Sequence, residues 1–372
     1  MNILVFSWRD IKHPLAGGAE QVDHEHHKGW VNAGHSVTLF SSHSPGTKSM
    51  EKIDGVNVVR KGGQILGVHL NACLWYLFSK HEDFDLVVDE FHGWPFFTPF
   101  YIRKPKMAVI QELTKEVWFK YPLPFYLNYF FGAIGYLLEP LFFLPYRNVM
   151  FMTGSKSTKE ELKTVGIVEK KVTIVHHGVI IDGFTTRVSK EKKRTIIFLG
   201  ALAKDKGIED AITTFGILNK TGDYQFWVVG KGDVDYMKYL KIMARGVGLR
   251  KNVTFFGFVT LKKKFQLLQR AHLLINPSIR EGWGLVNIEA NVCGTPVIAY
   301  NSPGLTDSVK NEKSGIIVKA NTPEKVASVI DSVMADREIY SRLKKGALSW
   351  SKRFSWDESR RESLKLITSL VK

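Results

Sequence analysis

The feature that most constrains this fold is a local pattern that occurs twice: a short apolar strand, a glycine-rich loop and a helix. The first copy runs from residues 3–6 through Gly17-Gly18-Ala19-Glu20 into a helical stretch, and a second apolar strand follows at 37–40. The second copy starts at residues 196–199 and passes Gly207 before its helix. Further short apolar runs follow each copy, as in parallel sheets that helices cover on both faces. The pattern therefore predicts an α/β fold with two halves.

The length of the chain also favours two domains. Its 372 residues exceed the roughly 250–300 at which a single hydrophobic core stops growing. A charged segment without apolar periodicity, residues 187–194, separates the two patterns and is typical of a linker. We predict a first domain at 1–187, a second at 190–352 and an amphipathic terminal helix within 353–372.

The composition limits the compartment and the partners. The two cysteines, Cys73 and Cys293, lack metal-ligand spacing and are too few for a disulfide framework, which favours a reducing compartment. The N-terminal residues show no basic segment followed by a long apolar one, so we expect no signal peptide and a cytoplasmic location. The net charge of +16 lies mostly in residues 191–372, with 31 basic against 18 acidic side chains. This surplus suits an anionic partner such as a nucleotide, a nucleic acid or a membrane, although solvated surface lysines explain most of it.

The strongest chemical signal follows an apolar strand in the second half. The sequence there is Ser-Ile-Arg-Glu-Gly-Trp-Gly-Leu-Val-Asn-Ile-Glu, from Ser278 to Glu289. A strand, a glycine loop and a helix N-terminus would aim the backbone N–H groups of Gly284 and Leu285 at a diphosphate, aided by the helix dipole. Glu281 could then reach a sugar hydroxyl, and Glu289 could accept hydrogen bonds from ribose hydroxyls. By spacing alone, a capped helix with exposed glutamates explains this segment equally well.

This segment resembles the E-x7-E signature of retaining glycosyltransferases of the GT-B fold, particularly glycosyltransferase family 4. Further matches occur in order and at the expected separations over nearly the whole chain. They are Gly17-Gly18-Ala19-Glu20, Gly34-His35-Ser36-Val37, Gly230-Lys231-Gly232, Gly257-Phe258, Gly294-Thr295-Pro296-Val297-Ile298-Ala299 and Ser314-Gly315. The resemblance implies two Rossmann-like domains facing each other across a cleft, the first binding the acceptor and the second the nucleotide sugar. It also implies that the terminal helix crosses back onto the first domain.

The resemblance also assigns residues to the donor. The family pattern G-R-L-x-x-x-K-G corresponds to residues 200–207, with Lys206 at the lysine and Ala201 in place of the arginine. That change removes a bidentate phosphate contact, which Lys204 could replace. Lys206 and Glu281 are expected to act in catalysis, with the lysine and the helix dipole stabilising the leaving diphosphate without a metal or another cofactor. The donor-binding residues expected are Gly17, Gly18, Lys206, Glu281, Gly282, Trp283, Gly284, Leu285 and Glu289.

Acid–base and metal candidates are weaker. Many family members have a His-Asp pair where this chain has Gln111-Glu112. Glu112 could act as a base if its pKa were raised, and His92 is a second candidate, although a lone histidine is more often a packed or surface residue. The D-x-D matches at 83–85 and 233–235 are of a kind that is common by chance, and the histidines of 24–27 lack an evident third ligand. We therefore predict no metal site.

An apolar segment, residues 121–146, contains ten aromatic side chains and one charge, Glu139. Its uninterrupted part, 125–138, has 14 residues, too few to cross a bilayer core of ~30 Å, and Glu139-Pro140 should interrupt the helix. We expect an interfacial helix whose phenylalanines (Phe130, Phe131, Phe142 and Phe143) contact the membrane. Packing into the core of the domain or into a dimer interface is the alternative.

These patterns and the resemblance together predict retaining transfer of a sugar from a UDP- or GDP-sugar to a glycan or a lipid-linked acceptor, at the cytoplasmic face of a membrane. Because retaining members of the fold lack an obvious protein nucleophile, the resemblance favours a front-face mechanism in which the leaving phosphate takes the acceptor proton. A GT-B-fold epimerase or phosphorylase remains one alternative. A non-catalytic protein that binds a membrane or nucleic acid is the other, although nucleic acid is not the expected partner.

Overall fold

The computed structural model describes residues 1–64, 66–91, 93–120, 125–179, 188–246 and 252–371. The chain divides into two compact units: unit 1 contains Met1–Gly178 and Trp356–Lys372, and unit 2 contains Val179–Ser355. The division follows Gly178, before the linker segment 187–194 that the sequence suggests, and the terminal segment of unit 1 begins at Trp356, whereas the sequence suggests residue 353. A β-bridge between Val179 and Ser355 keeps both of these residues in unit 2.

Unit 1 is built on a sheet of eight strands. They are β1 (Asn2–Phe6), β2 (Ser36–Ser41), β3 (Met50–Ile53), β4 (Val56–Arg60), β5 (Leu86–Phe91), β6 (Lys106–Ile110), β7 (Met150–Thr153) and β8 (Val172–Ile174). They lie in the order β3-β4-β2-β1-β5-β6-β7-β8, and every neighbouring pair is parallel except β3 with β4. The strands are mostly buried runs of valine, isoleucine, leucine and phenylalanine, as the sequence predicts for a sheet covered on both faces.

Unit 2 is built on a sheet of six parallel strands. They are β9 (Arg194–Leu199), β10 (Tyr224–Val229), β11 (Val253–Gly257), β12 (Leu273–Asn276), β13 (Val297–Ala299) and β14 (Gly315–Ile317). Their order is β11-β10-β9-β12-β13-β14, and all neighbours are parallel. From β9 the chain adds β10 and then β11 on one side, and it then crosses back to add β12, β13 and β14 on the other side of β9. This change of direction is the topological switch point at which open α/β sheets bind their ligands.

Helices cover both sheets. The α-helices, in chain order, are α1 (Gly18–Asn32), α2 (Leu66–Phe78), α3 (Phe125–Phe142), α4 (Lys156–Thr164), α5 (Ile208–Thr221), α6 (Val234–Gly246), α7 (Leu261–Arg270), α8 (Leu285–Val292), α9 (Leu305–Ser308), α10 (Pro323–Ala335), α11 (Arg337–Ser351) and α12 (Trp356–Leu370). Short 3-10 helices lie at Thr98–Phe100, Lys115–Lys120, Leu144–Tyr146, Glu169–Lys171 and Lys204–Lys206. Helices therefore follow most strands, as the two βαβ patterns in the sequence predict.

The two faces of the unit 1 sheet are covered by different helices. Because side chains alternate along a strand, Val5 of β1 lies on one face and Leu4 on the other. The first face packs against Trp30 of α1 and Ile367 of α12. The second face packs against α2 and the end of α3. The terminal helix thus completes one side of the unit 1 core, and α2 and α3 share the other.

Polar contacts also hold α12 on α1. Trp30 Nε1 donates a hydrogen bond to Ser363 Oγ over 3.1 Å, and His26 Nε2 lies 3.0 Å from Ser359 Oγ. Small serine side chains at these positions let the two helices approach closely, and their hydroxyls pair with the buried ring nitrogens. The amphipathic stretch at the end of the sequence therefore packs on the first half of the chain.

The apolar segment forms a longer helix than the sequence suggests. α3 continues through Pro140 to Phe142, so the interruption expected at 139–140 was wrong. The carboxylate of Glu139 is buried and accepts hydrogen bonds from the N–H groups of Thr114 (2.6 Å) and Lys115 (2.8 Å) and from Trp118 Nε1 (3.1 Å). A buried charge with three donors is stabilised in place, so this residue anchors the helix to the segment after β6.

The aromatic side chains of this segment do not all face the same way. Phe130 and Phe131 are more than half exposed, whereas Phe142 and Phe143 are buried in the core with Phe151 of β7. The expectation that all four contact a membrane was therefore wrong for Phe142 and Phe143. By length and apolar composition alone, residues 126–146 would suffice to cross a bilayer, and only 22% of their most apolar window is buried. The length argument against a span was thus also wrong.

Candidate active site

Two loops of unit 2 meet at the carboxyl edge of its sheet. One follows β9 and contains the turn Lys204–Lys206, and the other follows the neighbouring strand β12. The N–H of Ile279 in the second loop donates to the carbonyl of Asp205 in the first over 3.0 Å. Gly207 has a positive φ of 69°, and a Cβ atom there would lie 2.1 Å from the Pro277 carbonyl oxygen. A glycine at this position therefore lets the two loops pack against each other.

The contact between these loops brings Lys206 and Glu281 together. Lys206 Nζ lies 3.0 Å from Glu281 Oε2 and 3.5 Å from Asp205 Oδ2. Ser278 Oγ donates to the other carboxylate oxygen of Glu281 over 2.8 Å. The side chains of Lys206 and Glu281 are 22% and 19% exposed, so both are fixed in position yet reachable from solvent. The pair places one cation and one acceptor side by side at the switch point.

The N-terminus of α8 lies at the same sheet edge. Gly284 precedes this helix with a φ of 81°, and a Cβ atom there would lie 2.8 Å from Asn287 Nδ2 and 3.1 Å from Ser308 Oγ. Asn287 Nδ2 donates to Ser308 Oγ, and Asn276 Nδ2 donates to Asn287 Oδ1, each over 2.9 Å. This buried network fixes the first turn of α8, whose backbone N–H groups and dipole favour an anion.

Glu289 lies one turn into α8 and is almost completely buried. Its Oε1 accepts a hydrogen bond from Lys264 Nζ of α7 over 2.5 Å. Lys264 could not be identified from the sequence, because it lies within the run Lys262-Lys263-Lys264, which is typical of a solvated surface. Phe265 and Leu268, both buried on the same helix, were the available signal that α7 turns one of these lysines inward.

The remaining residues of the loop have different roles. Trp283 is 3% exposed, and its ring lies 5.2 Å from that of Phe354 in an apolar cluster with Val179 and Ile288. Any contact of Trp283 with a donor would therefore involve its backbone. Gly282 is buried, and Leu285 packs against the same cluster at the first position of α8. These residues hold the loop in place beneath Lys206 and Glu281.

The predicted donor residues of the first half lie in unit 1. The N–H of Gly17 donates to Glu20 Oε2 over 2.7 Å, and Glu20 Oε1 lies 3.5 Å from Arg9. A phosphate at this N–H would have to displace a buried carboxylate, so Gly17 has the geometry of a helix cap. Gly18, the first residue of α1, is exposed.

The acid–base candidates also belong to unit 1. Glu112 is half-buried just after the carboxyl end of β6. Beside it, Gln111 Nε2 donates to Asp23 Oδ1 of α1 over 3.1 Å, and the Gln111 carbonyl accepts from Thr158 Oγ1 over 2.8 Å. These bonds fix the backbone that carries Glu112. His92 lies outside the described residues.

The histidines of α1 have separate partners. His24 Nε2 lies 2.9 Å from Asp54, and His27 Nε2 lies 2.9 Å from Glu90 at the end of β5. Burial lowers the pKa of the His27 imidazole to about 4. The D-x-D matches also have partners of their own: Asp83 binds Lys104, Asp85 accepts from the N–H of Asn2, and Asp233 caps α6. No group of three or more potential metal ligands was found within the described ranges.

Two family models match consecutive parts of the chain. The model of glycosyltransferase family 4 matches residues 16–182, and that of glycosyl transferases group 1 matches residues 184–350. Uncharacterized glycosyltransferase MJ1607 of Methanocaldococcus jannaschii is 31% identical over 240 residues, 59% of this chain and 60% of that protein. D-inositol 3-phosphate glycosyltransferase of Jonesia denitrificans is 26% identical over 214 residues, 52% of this chain and 50% of that protein. The chain thus aligns with little more than half the length of these relatives.

Solved structures share the fold over almost the whole chain. Sucrose-phosphate synthase from Thermosynechococcus elongatus superposes with a TM-score of 0.81 at 17% identity, covering 99% of this chain and 98% of that one. Anabaena HepE, solved with UDP and glucose, superposes with a TM-score of 0.76 at 17% identity and full coverage of both chains. WaaG, a glycosyltransferase of lipopolysaccharide biosynthesis, gives 0.76 at 16% identity, with 98% and 99% covered. With two family models in succession and this GT-B fold, the chain belongs to the group 1 glycosyltransferases of the family 4 type.

Proposed function

We propose that this chain transfers a sugar from a nucleotide-sugar donor, bound at the carboxyl edge of the unit 2 sheet, to an acceptor bound by unit 1. The observation that carries the proposal is the placement of Lys206, Glu281 and the first turn of α8 at one switch point. A cation and a helix N-terminus suit a diphosphate, and a neighbouring carboxylate suits sugar hydroxyls. Family membership supports the same reaction class.

In this proposal each group has a separate task. The α8 N-terminus and Lys206 bind the diphosphate, and Lys206 offsets the charge that develops on it as the bond from the anomeric carbon to the phosphate oxygen breaks. Glu281 orients Lys206 through their 3.0 Å contact and accepts from a hydroxyl of the transferred sugar. Glu289, oriented by Lys264, accepts from the ribose hydroxyls.

We further propose that the configuration at the anomeric carbon is retained. The acceptor oxygen would form its bond on the face that the phosphate leaves, and the acceptor proton would pass to the departing phosphate oxygen. This route needs no protein nucleophile, and it suits the site because Glu281 is already engaged by Lys206 and Ser278. Glu112 of unit 1 is the candidate for orienting the acceptor hydroxyl.

We propose a lipid-linked glycan as the acceptor and the cytoplasmic face of a membrane as the place of reaction. The support is α3, whose Phe130 and Phe131 are exposed although the helix carries no outward-facing charge. Aromatic side chains favour the membrane interface, where such acceptors have their sugars. The related fold of WaaG serves lipopolysaccharide biosynthesis, which is consistent with this class of acceptor.

A melting experiment with a panel of donors tests the donor class. Because a ligand that binds only the folded state raises its stability, the correct nucleotide sugar at about 100 times its Kd should add roughly 2.7 kcal/mol. UDP-, GDP-, ADP- and dTDP-sugars are compared, beginning with UDP-glucose because HepE is known to bind it. Release of the nucleoside diphosphate from the stabilising donor then establishes turnover. Stabilisation by no nucleotide sugar, with salt-sensitive binding of nucleic acid instead, would contradict the proposal.

A further inference from the structure

The apolar helix α3 does not stand alone on its side of unit 1. Leu4 of β1 and Val87 of β5 point to the face that α2 covers, and Ala108 and Ile110 of β6 point to the face that α3 covers. The neighbouring residues on these strands, Val5 among them, point to the opposite face, beneath α1 and α12. By this alternation α2 and α3 lie on the same face of one sheet.

Trp94 joins the two helices. Its carbonyl accepts a hydrogen bond from His69 Nε2 of α2 over 3.2 Å, and its ring centroid lies 4.9 Å from that of Phe142 of α3. The Trp94 side chain is itself partly exposed. Trp94 therefore contacts both helices and is exposed between them.

The outer surface of both helices is apolar. On α2, Leu66, Leu70 and Leu74 repeat every four residues and are 45–71% exposed, which places them on one outward stripe. On α3, Phe130, Leu137 and Leu141 are 52–72% exposed. Soluble proteins rarely leave contiguous apolar surface of this kind uncovered unless it binds something.

The charges around these helices identify the kind of partner. α2 contains no charged residue, and the one charge of α3, Glu139, is buried with three donors. The nearest charged residue beyond each of the four helix ends is basic and exposed. These residues are Lys61 and Lys80 around α2, and Lys120 and Arg147 around α3. The exposed acidic residues that follow Lys80, Glu82 and Asp83, contact Thr38 and Lys104. An apolar surface whose nearest flanking charges are cations matches an anionic lipid bilayer, with its acyl interior and its negative headgroups.

We propose that α2 and α3 form a single docking surface for an anionic bilayer, with Trp94 between them. This surface would bring unit 1 to a lipid-linked acceptor, and in that respect it rests on the proposed function. It extends the membrane contact from α3 alone to two helices. The apolar stripes enter the headgroup boundary, and the four basic residues contact lipid phosphates. Two helices on one face also fix the orientation of unit 1 on the membrane, which a single helix does not.

The test is flotation of the full chain with vesicles of phosphatidylcholine, with and without phosphatidylglycerol. The wild-type chain should float with the anionic vesicles. The double variant Leu70→Ser/Leu74→Ser should bind the vesicles at least tenfold more weakly. Each leucine that no longer enters the apolar part of the bilayer should by itself lower the partition coefficient by about tenfold or more. Lys61→Gln/Lys80→Gln should weaken binding to anionic vesicles by about fivefold for each lysine. The matched control is Ile242→Ser, which removes an equally exposed apolar side chain from α6 in unit 2.

Several results would overturn the proposal. If Leu70→Ser/Leu74→Ser floats like wild type while Leu137→Ser/Leu141→Ser does not, α3 docks alone. If the wild-type chain stays soluble with both vesicles, or if it is a dimer that the α2 variant dissociates in sedimentation, the surface belongs to a protein partner. Circular dichroism and melting temperatures establish that each variant is folded. Nucleotide release in detergent is measured separately, and its failure with intact vesicle binding would contradict the proposed function and leave the docking surface standing.

Discussion

Unit 1 and unit 2 are built from the same parts, yet they present different chemistry to solvent. In unit 2 the carboxyl edge of the sheet carries Lys206 and Glu281, which are paired but still about one-fifth exposed. In unit 1 the charges near the corresponding edge are buried against one another, and the exposed feature is the apolar surface of α2 and α3. A parallel α/β sheet thus fixes where loops meet, whereas the pairing of charges decides whether the loops can bind an anion.

Arg60 of unit 1 shows the difference most clearly. Its guanidinium is fully buried and donates to both oxygens of Asp10 (2.6 and 2.8 Å) and to Glu51 (2.6 Å). Burial alone would raise the pKa of Asp10, but the hydrogen bonds from Arg60, the Lys12 N–H and Ser41, together with the positive charge of Arg60, outweigh this and lower it. These contacts bury the Arg60 guanidinium and fix the loop after β1. Lys206 of unit 2, by contrast, shares carboxylates at 3.0 and 3.5 Å and remains accessible to a ligand.

The largest expected effect separates the buried and exposed parts of the apolar segment. Phe143→Ala should lower the free energy of unfolding by about 3–5 kcal/mol, because it leaves a cavity beside Phe151. Phe130→Ala, on the exposed surface of α3 earlier in the same apolar segment, should change it by no more than about 0.5 kcal/mol. Denaturant titration of both variants measures the contrast. If both variants lose the same free energy of unfolding, Phe130 is also a core residue. Unit 1 would then lack the exposed apolar surface that distinguishes it from unit 2.

A pH experiment examines the buried histidines of unit 1. The pKa of His27 is about 4 in the folded chain and about 6.5 unfolded, so the unfolded state binds more protons between these values. The free energy of unfolding should therefore fall as the pH drops from about 6.5 to about 4, and His27 alone should contribute about 3 kcal/mol of this fall. His27→Gln should show a shallower decrease in denaturant titrations across this window. Asp23 and Glu90 lie beside the same imidazole ring. If the free energy of unfolding of His27→Gln falls with pH as steeply as that of wild type, these carboxylates cause the pH dependence.

The nucleotide contact that we propose for Glu289 of unit 2 should show a smaller effect. Glu289→Gln replaces a charged acceptor, and the loss of about 1.5–3 kcal/mol corresponds to a roughly ten- to hundredfold weaker Kd for the nucleoside diphosphate. Calorimetric titration measures the Kd, with the exposed Glu338→Gln of α11 as the matched control. If the Glu289 variant binds the nucleotide as wild type does, its pairing with Lys264 is purely structural.

The sequence predicted those parts of the fold that depend on local patterns. Buried strands and glycine loops are local, so the two sheets could be inferred from the sequence. Lys206 and Glu281 were assigned to one site by the family resemblance and not by a local pattern. Other contacts distant in sequence could not be inferred. Lys264 lies 25 residues from Glu289 and looked like one of three surface lysines. The sequence predicted that the helix ends at Glu139. The three groups that donate hydrogen bonds to Glu139 come from residues 114–118, and helical spacing does not relate these residues to it. The boundary after Gly178 similarly depends on a bridge to Ser355.

Turnover of a single variant tests the proposal that Lys206 stabilises the leaving diphosphate of a nucleotide sugar. Release of nucleoside diphosphate is measured at saturating concentrations of the donor that stabilises the wild-type chain. Lys206→Ala should lower kcat by roughly 10²-fold or more, as loss of a group that stabilises developing negative charge does. Lys220→Ala, which removes an exposed lysine at the far end of α5, should leave kcat unchanged. A kcat for Lys206→Ala equal to that of wild type would contradict the account.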